Sequence, residues 1–223
     1  MHQRKSKKII IYFFLLIIVS SISNNSINNF NFSEIQNINI SGLDKKDNQI
    51  IMNKVKNLNL GNIFFINKHE IVELFNSNSL IEKYEVFKKY PSTININIKK
   101  TNFIATISDN GKIFFIGSNG KLTLVEKSLN NLPHIFGKPN LEEFLTFKEI
   151  IDKSKLSYKQ IDNLYFFPSK RWDIRLKEDV LLKLPKKFSS ETLDYLFEFL
   201  KNYRVKNFTI VDYRIKNQII LNE

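Results

Sequence analysis

The spacing of apolar and polar residues changes several times along this chain, and each change marks an element. Ile9 to Val19, IIIYFFLLIIV, is apolar at every position and follows Arg4, Lys5, Lys7 and Lys8. A helix apolar on all sides belongs in a bilayer or a core. Eleven residues rise only about 16 Å, against about 30 Å of hydrocarbon, so a span must borrow Ser20 to Ser23. Serine is tolerated there because its hydroxyl bonds back to its own helix. The preferred reading is a retained single-pass anchor over residues 9–23, represented by Ile9, Leu15, Leu16 and Val19. A cleaved signal peptide has the same plan: basic start, short apolar stretch, small residues. In both cases residues 1–8 stay cytoplasmic by the positive-inside tendency, and the bulk is exported.

Residues 24–32, opening NNSINNFN, have no useful period and read as a linker. Alternation then begins. Ile38 and Ile40 lie between asparagines, the period-2 mark of a strand with one buried face, and Ser41-Gly42 ends it. Asp44 is a candidate N-cap, and Ile51, Val55 and Leu58 give the next helix its face, with Gly61 as its stop. Asn67 and Glu70 predict a capped second helix with Ile71, Val72 and Phe75 on its apolar face. Strands follow at Ile81–Lys89 and Thr93–Lys99, with Tyr90-Pro91 at their turn because proline donates no ladder hydrogen bond. Residues 33–101 therefore form a β-α-α-β-β domain.

Residues 102–223 form a second, mostly antiparallel β domain with two helices. Phe103–Ile107 and Lys112–Ile116 flank Asn110-Gly111, a two-residue hairpin signal. Gly117–Gly120 turns into a third strand, Lys121–Val125, and Leu132–Gly137 reads as irregular. Asn140 with Glu143 caps a helix whose face is Leu141, Phe144, Leu145, Phe147 and Ile151. Ile161–Phe167 is a strand. Arg171 to Leu176 alternates apolar with charged, placing Trp172 toward the sheet interior, and Val180–Leu184 pairs with it. Ser190 caps the last helix, with Leu193, Leu196, Phe197, Leu200 and Tyr203 on one face. The final strands are Phe208–Asp212 and Gln218–Leu221. The overall class is α+β, behind a single N-terminal transmembrane helix.

Composition adds constraints. Lys and Arg number 34 against 22 Asp and Glu, a net charge of +12. The lysine surface reads as general solvation in a Lys-, Asn- and Ile-rich chain, and nucleic acid is not expected as a partner. The chain has no cysteine, which excludes disulfides within it and thiolate chemistry. About 190 residues beyond the anchor suffice for two small cores. The histidines are His2, His69 and His134, and no nucleophile, phosphate-loop or metal motif accompanies them. No catalytic residue, cofactor, metal or small-molecule substrate is expected. The candidate chemistry lies at the last strand instead. A terminal edge strand leaves backbone groups unpaired. Gln218, Ile219, Ile220 and Leu221 suit addition of a partner strand, with Arg214 and Lys216 placed to steer an acidic partner.

The ordered set resembles a known family. Ile38–Gly42, Lys88-Lys89-Tyr90-Pro91 and Thr93–Ile98 are similar to a POTRA domain. The Leu-Pro-x-hydrophobic-x-Gly stretch at Leu132, the Arg171-Trp172 strand, the strand ending Leu184-Pro185, and Ile210-Val211-Asp212-Tyr213-Arg214 resemble the bacterial FtsQ/DivIB cell-division family. Departures are Lys99-Lys100 where Glu-Arg is common, Tyr213 for Leu, and Ile215 for an aromatic. The resemblance implies a non-enzymatic divisome scaffold of the inner membrane, its bulk periplasmic, concentrated at the septum. It implies partners of the FtsB and FtsL type, linked to the septal wall synthase complex. By position it implies partner contacts at Arg214, Ile215, Gln218 to Leu221 and Arg171. Two other classes fit less well: a POTRA-bearing export or outer-membrane assembly component, and an exported wall-binding module.

Overall fold

A computed structural model describes residues 5–21, 34–58, 60–124, 131–202, 208–215 and 217–222. The linker expected at 24–32 lies outside the described residues, as do Arg4, Ile22, Ser23, Val125, Tyr203 and Lys216. Helix α1 runs Lys5–Ser21, and its apolar side chains from Ile9 to Val19 are exposed. Ser20 Oγ donates to the Ile17 carbonyl at 2.9 Å, the expected back-bond. Seventeen residues rise about 25 Å. Among the described residues, no helix is long and apolar enough to cross a membrane.

The first domain has the expected order: β1 Asn37–Ser41, α2 Lys45–Lys56, α3 Lys68–Ser77, β2 Ile81–Lys89 and β3 Thr93–Lys100. Strand β3 is central, parallel to β1 and antiparallel to β2. Its alternation decides the packing. Ile94, Ile96 and Ile98 turn inward against Ile51 and Val55 of α2 and Ile71 and Phe75 of α3. Burying each such side chain stabilises the fold by about 1.5–3 kcal/mol. The other face is mostly polar apart from the half-exposed Phe87, with Asn39 Nδ2 donating to Asn95 Oδ1 and Ser41 Oγ to Asn97 Oδ1, both at 2.9 Å.

Two local expectations shift. Helix α2 ends at Lys56 with Asn57 as its C-cap, before Gly61, because Leu60 and Ile63 turn back into the core. Asp44 makes no side-chain cap. It takes Lys100 Nζ at 2.6 Å instead, while Asn48 bonds both backbone groups of Leu43. The Asn67 cap on α3 forms as expected, accepting from the His69 N–H.

The second domain holds a nine-stranded sheet among the described residues, in the order β12-β11-β10-β9-β8-β7-β4-β5-β6. Strands β4 Phe103–Asp109, β5 Lys112–Gly117 and β6 Leu122–Leu124 form a meander. The stretch expected to be irregular contains β7, His134–Phe136, which joins β4 to β8 Ile161–Phe166 by parallel pairing on both sides. Three residues carry too little alternation to announce a strand. Then come β9 Trp172–Leu176, β10 Leu181–Lys183, β11 Ile210–Asp212 and β12 Ile220–Asn222. Arg171 therefore precedes its strand, and the last two strands are shorter than expected. Helices α4 Leu141–Asp152 and α5 Ser190–Asn202 cover one face. Phe144, Phe147 and Ile151 of α4 and Leu193 and Leu196 of α5 meet Ile135, Leu164, Trp172, Ile174, Leu182 and Val211. The Asn140–Glu143 capping box is complete.

The domains meet through Thr101-Asn102 and a polar clasp. The β5–β6 turn reaches over the α3–β2 connection. Asn119 Nδ2 donates to the Ser79 and Ile81 carbonyls, each at 2.9 Å, and Lys121 Nζ to those of Asn76 and Asn78 at 2.5 and 3.2 Å. Ser118 Oγ and Thr101 Oγ1 donate to Glu82 Oε2 at 2.5 and 3.3 Å. Gly117 permits the close fit, since a Cβ there would stand 2.7 Å from Thr101 Oγ1. Asn119→Ala removes the shared donor of two part-buried carbonyls. We expect a loss of about 1–3 kcal/mol in urea unfolding, with faster amide exchange around Ser79 to Ile81.

Candidate partner-binding edge

The outward side chains of the last strands line up across the sheet. Strand pairing sets Phe136 beside Tyr165, Tyr165 beside Asp173, Asp173 beside Lys183, Lys183 beside Asp212, and Asp212 beside Ile220. The row begins aromatic, with Phe136 and Tyr165 stacked at 5.0 Å. Charges of alternating sign follow, and cross-strand opposite charges stabilise pairing. The row ends on β12, which pairs with β11 on one side and has no strand on its other side among the described residues.

Two arginines brace the charged part. Arg171 Nε donates to Asp173 Oδ1 at 3.1 Å, and its guanidinium lies 4.2 Å from the Phe167 ring centroid. The Leu184 N–H donates to the same oxygen at 3.3 Å. Arg214 grips Asp212 harder: Nε reaches both oxygens at 2.9 Å, Nη2 reaches Oδ2 at 2.5 Å, and the Arg214 N–H reaches Oδ1 at 3.1 Å. This is a bidentate, charge-assisted pair.

The environments drive the two carboxyls apart. Burial raises the Asp173 pKa, opposed by its hydrogen bond from Arg171. The hydrogen bonds from Arg214 hold the Asp212 carboxyl below the usual range. Asp212 therefore binds fewer protons folded than unfolded. Its stabilisation is full above the ordinary carboxylate pKa and lost as pH falls through the lowered value. Asp173 has the opposite sign: its ionised form is disfavoured in the fold, and that cost is relieved as pH falls through the raised value. We expect Asp212→Asn to flatten the loss of stability below about pH 4, and Asp173→Asn to steepen the change on acidification above about pH 4, between the ordinary carboxylate value and the raised one. Urea midpoints across that range measure both.

The expected contact residues are placed as follows. Arg171 lies before β9 and Arg214 after β11, and the Asp173–Lys183–Asp212 row brings them onto one face. Ile215 is exposed in the β11–β12 turn, which closes through Gln218 N–H to Ile215 O at 3.2 Å. Gln218 and Ile219 precede β12 rather than belonging to it. Ile219 and Leu221 pack against the core, while Ile220 is 44% exposed. Asp173, Lys183, Asp212, Phe136 and Tyr165 were not among the expected residues. Their common signal is strand alternation, but only the register brings them together.

His134 sits between two hydroxyls of β4. Thr106 Oγ1 lies 2.9 Å from Nδ1 and Ser108 Oγ 3.3 Å from Nε2, and burial lowers its pKa, so the neutral ring is favoured. The two hydroxyls on β4 hold it on the sheet face. Among the described residues, no cluster of His, Asp and Glu has the makings of a metal site.

Comparison with known proteins bears on residues 33–214 above all. A model of the FtsQ-type POTRA domain matches residues 33–100. A model described as cell division protein FtsQ/DivIB, C-terminal, matches residues 97–214. Arg171 and Arg214 fall within the second match, and Ile215 and residues 218–221 follow its end. The cell division protein FtsQ of Rickettsia bellii is 27% identical over 203 residues, covering 85% of this chain and 72% of that one. The cell division protein DivIB of Staphylococcus aureus is 25% identical over 151 residues, covering 65% and 34%. A solved extracytoplasmic domain of DivIB from Geobacillus stearothermophilus aligns at a TM-score of 0.35 and 12% identity, over 47% of this chain and 96% of that chain.

Proposed function

The chain belongs to the FtsQ/DivIB family of cell-division proteins, and from that membership we propose that it is a non-enzymatic divisome scaffold of the inner membrane. In this reading residues 9–23 are the anchor. Residues 33–101 and 102–223 are its two exported domains, and the protein gathers at the septum. It captures FtsB- and FtsL-type division proteins and ties them to septal wall synthesis.

The observation that carries the reading is the open side of β12 at the end of the charged row. A partner strand laid along β12 gains main-chain hydrogen bonds, and the neighbouring side chains set its identity. Arg171 and Arg214 are already satisfied internally by Asp173 and Asp212. Their cations therefore sit in fixed positions, which lowers the entropic cost of contacting an acidic partner. Ile215 and Ile220 supply the apolar contact beside them.

Ile220→Asp tests the edge, because the side chain is exposed and its loss leaves the core intact. We expect FtsB-type binding in a pull-down to fall at least about tenfold, a loss of about 1.4 kcal/mol or more, with the urea midpoint unchanged. Unaltered binding would remove β12 from the interface. A cytoplasmic fluorescent tag on the N-terminus tests the wider role, which requires a midcell band in dividing cells. Leu16→Lys should disturb insertion by about 2.5–3.5 kcal/mol and shift the chain out of the membrane fraction.

A further inference from the structure

The end of the first domain opposite the clasp carries an unusual loop. Residues 62–66 are tightly held, yet two phenylalanines point out of them. Asn62 Oδ1 accepts from the N–H groups of both Phe64 and Phe65 at 3.0 Å. Ile63, just before them, is fully buried, and the Asn67 N–H closes the loop onto Leu60 O at 3.3 Å. With the backbone fixed this way, Phe65 is 75% exposed and Phe64 47%. Tyr90, at the β2–β3 turn, is 58% exposed, and its ring lies 5.2 Å from that of Phe64. Lys88 Nζ reaches the Phe64 carbonyl at 3.4 Å, and Lys89 is exposed beside Tyr90.

This is also the end where the chain arrives from α1. Glu34 bridges to Asn62, and the N–H groups of Gln36 and Asn37 donate to Ser92 O at 2.9 and 3.2 Å. Only residues 22–33 separate α1 from that point, a reach of at most about 45 Å. The second domain attaches at the other end of β3, through Thr101. The aromatic end is thus the end at which the chain from α1 enters the domain. Lys56 and Lys68 add positive charge around the loop, against Glu34 and Glu70.

Aromatic rings beside lysines are the chemistry of a bilayer interface: the rings sit at headgroup level and the ammonium groups meet anionic lipid. We propose that Phe64, Phe65 and Tyr90, with Lys88 and Lys89, rest on the anionic surface of the bilayer that holds α1. The contact makes a second foothold beside a short apolar helix and fixes the direction in which the two exported domains stand. It rests on the anchor reading of α1 but has its own readout.

The chain has no cysteine, so one introduced residue gives an unambiguous label site. Full-length Phe65→Cys and Phe136→Cys chains, each carrying a polarity-sensitive fluorophore, are reconstituted into phosphatidylglycerol-containing vesicles with nitroxide-labelled lipid. Position 136 is exposed on the second domain and serves as the distant reference. The proposal expects blue-shifted emission at position 65 and quenching about threefold greater than at 136, reduced in pure phosphatidylcholine vesicles and by salt. Equal quenching at the two positions, in a chain that resists alkaline extraction, overturns the foothold and leaves the anchor. Strong quenching at 65 in a chain that alkali removes keeps the foothold and overturns the anchor. A chain that does not associate with vesicles overturns both.

Discussion

Gly42→Ala is expected to unfold the first domain while leaving the second standing. Gly42 follows β1 at φ +109°, and a Cβ there would lie 1.7 Å from the Ile98 carbonyl oxygen. That oxygen belongs to the central strand, whose neighbours Ile94 and Ile96 are fully buried, so it has nowhere to retreat. The left-handed backbone alone costs an alanine about 1–3 kcal/mol, and displacing β3 adds packing losses on the scale of a core cavity, about 2–5 kcal/mol. The sum is a large share of a small domain's stability. Gly111 gives the internal comparison. It sits at φ +74° in the Asn110-Gly111 hairpin with nothing within 4 Å of its missing Cβ. Gly111→Ala should cost only about 1–2 kcal/mol. Amide exchange of Ile94 to Ile98 separates the two variants: lost protection for Gly42→Ala, retained for Gly111→Ala.

Trp172→Ala should have the corresponding effect on the second domain, about 3–5 kcal/mol in urea or thermal unfolding. Trp172 is 5% exposed and stacks on Phe147 at 4.3 Å, with Phe166 at 4.8 Å and Phe144 at 6.3 Å. Such ring pairs add about 0.5–1.5 kcal/mol each beyond the area they bury. The indole also seats β9, the strand that carries Asp173 and is entered through Arg171. If the proposed capture of a partner holds, Trp172→Ala weakens it through loss of the fold, with binding and unfolding changing together. Phe136→Ala, at a half-exposed ring stacked on Tyr165, should cost clearly less, about 1–2 kcal/mol. Equal costs at the two positions would mean that the Trp172 cluster does not hold the sheet.

Elements built on local signals were the legible ones. The Ile94-Ile96-Ile98 alternation, the Asn140–Glu143 box and the Asn110-Gly111 turn each specify their own geometry within a few residues. Strand β7 was not legible. Its partners β4 and β8 run parallel to it, so no hairpin turn announces the pairing, and its three residues carry little period. Strand β12 was displaced by a related effect. Asn217 takes φ +62° in the turn and Ile219 packs inward, so the ladder starts at Ile220 rather than Gln218. The candidate site divided in the same way. Arg214 beside Asp212 is a neighbour relation visible in the chain. The facing of Lys183 and Asp212 depends on the pairing of β10 and β11, strands separated by a helix, which the alternation of one strand does not contain. The alternation makes Asp173 the charged, outward neighbour of Trp172. It is outward, but it is 2% exposed, because Arg171 lies against it and the Leu184 backbone meets its carboxylate.

A tug on the first domain has no slack joint in which to be absorbed. Thr101 and Asn102 alone separate β3 from β4, and the Gly117–Lys121 turn grips the start of β2 from the side. Tension along the chain would load the Asn119 and Lys121 hydrogen bonds in shear, several at once, so the two domains would swing as a single stiff arm. On such an arm the β12 edge keeps a set height and heading relative to the base. A partner waiting at the wrong distance would be missed by geometry alone, however well its own strand matched.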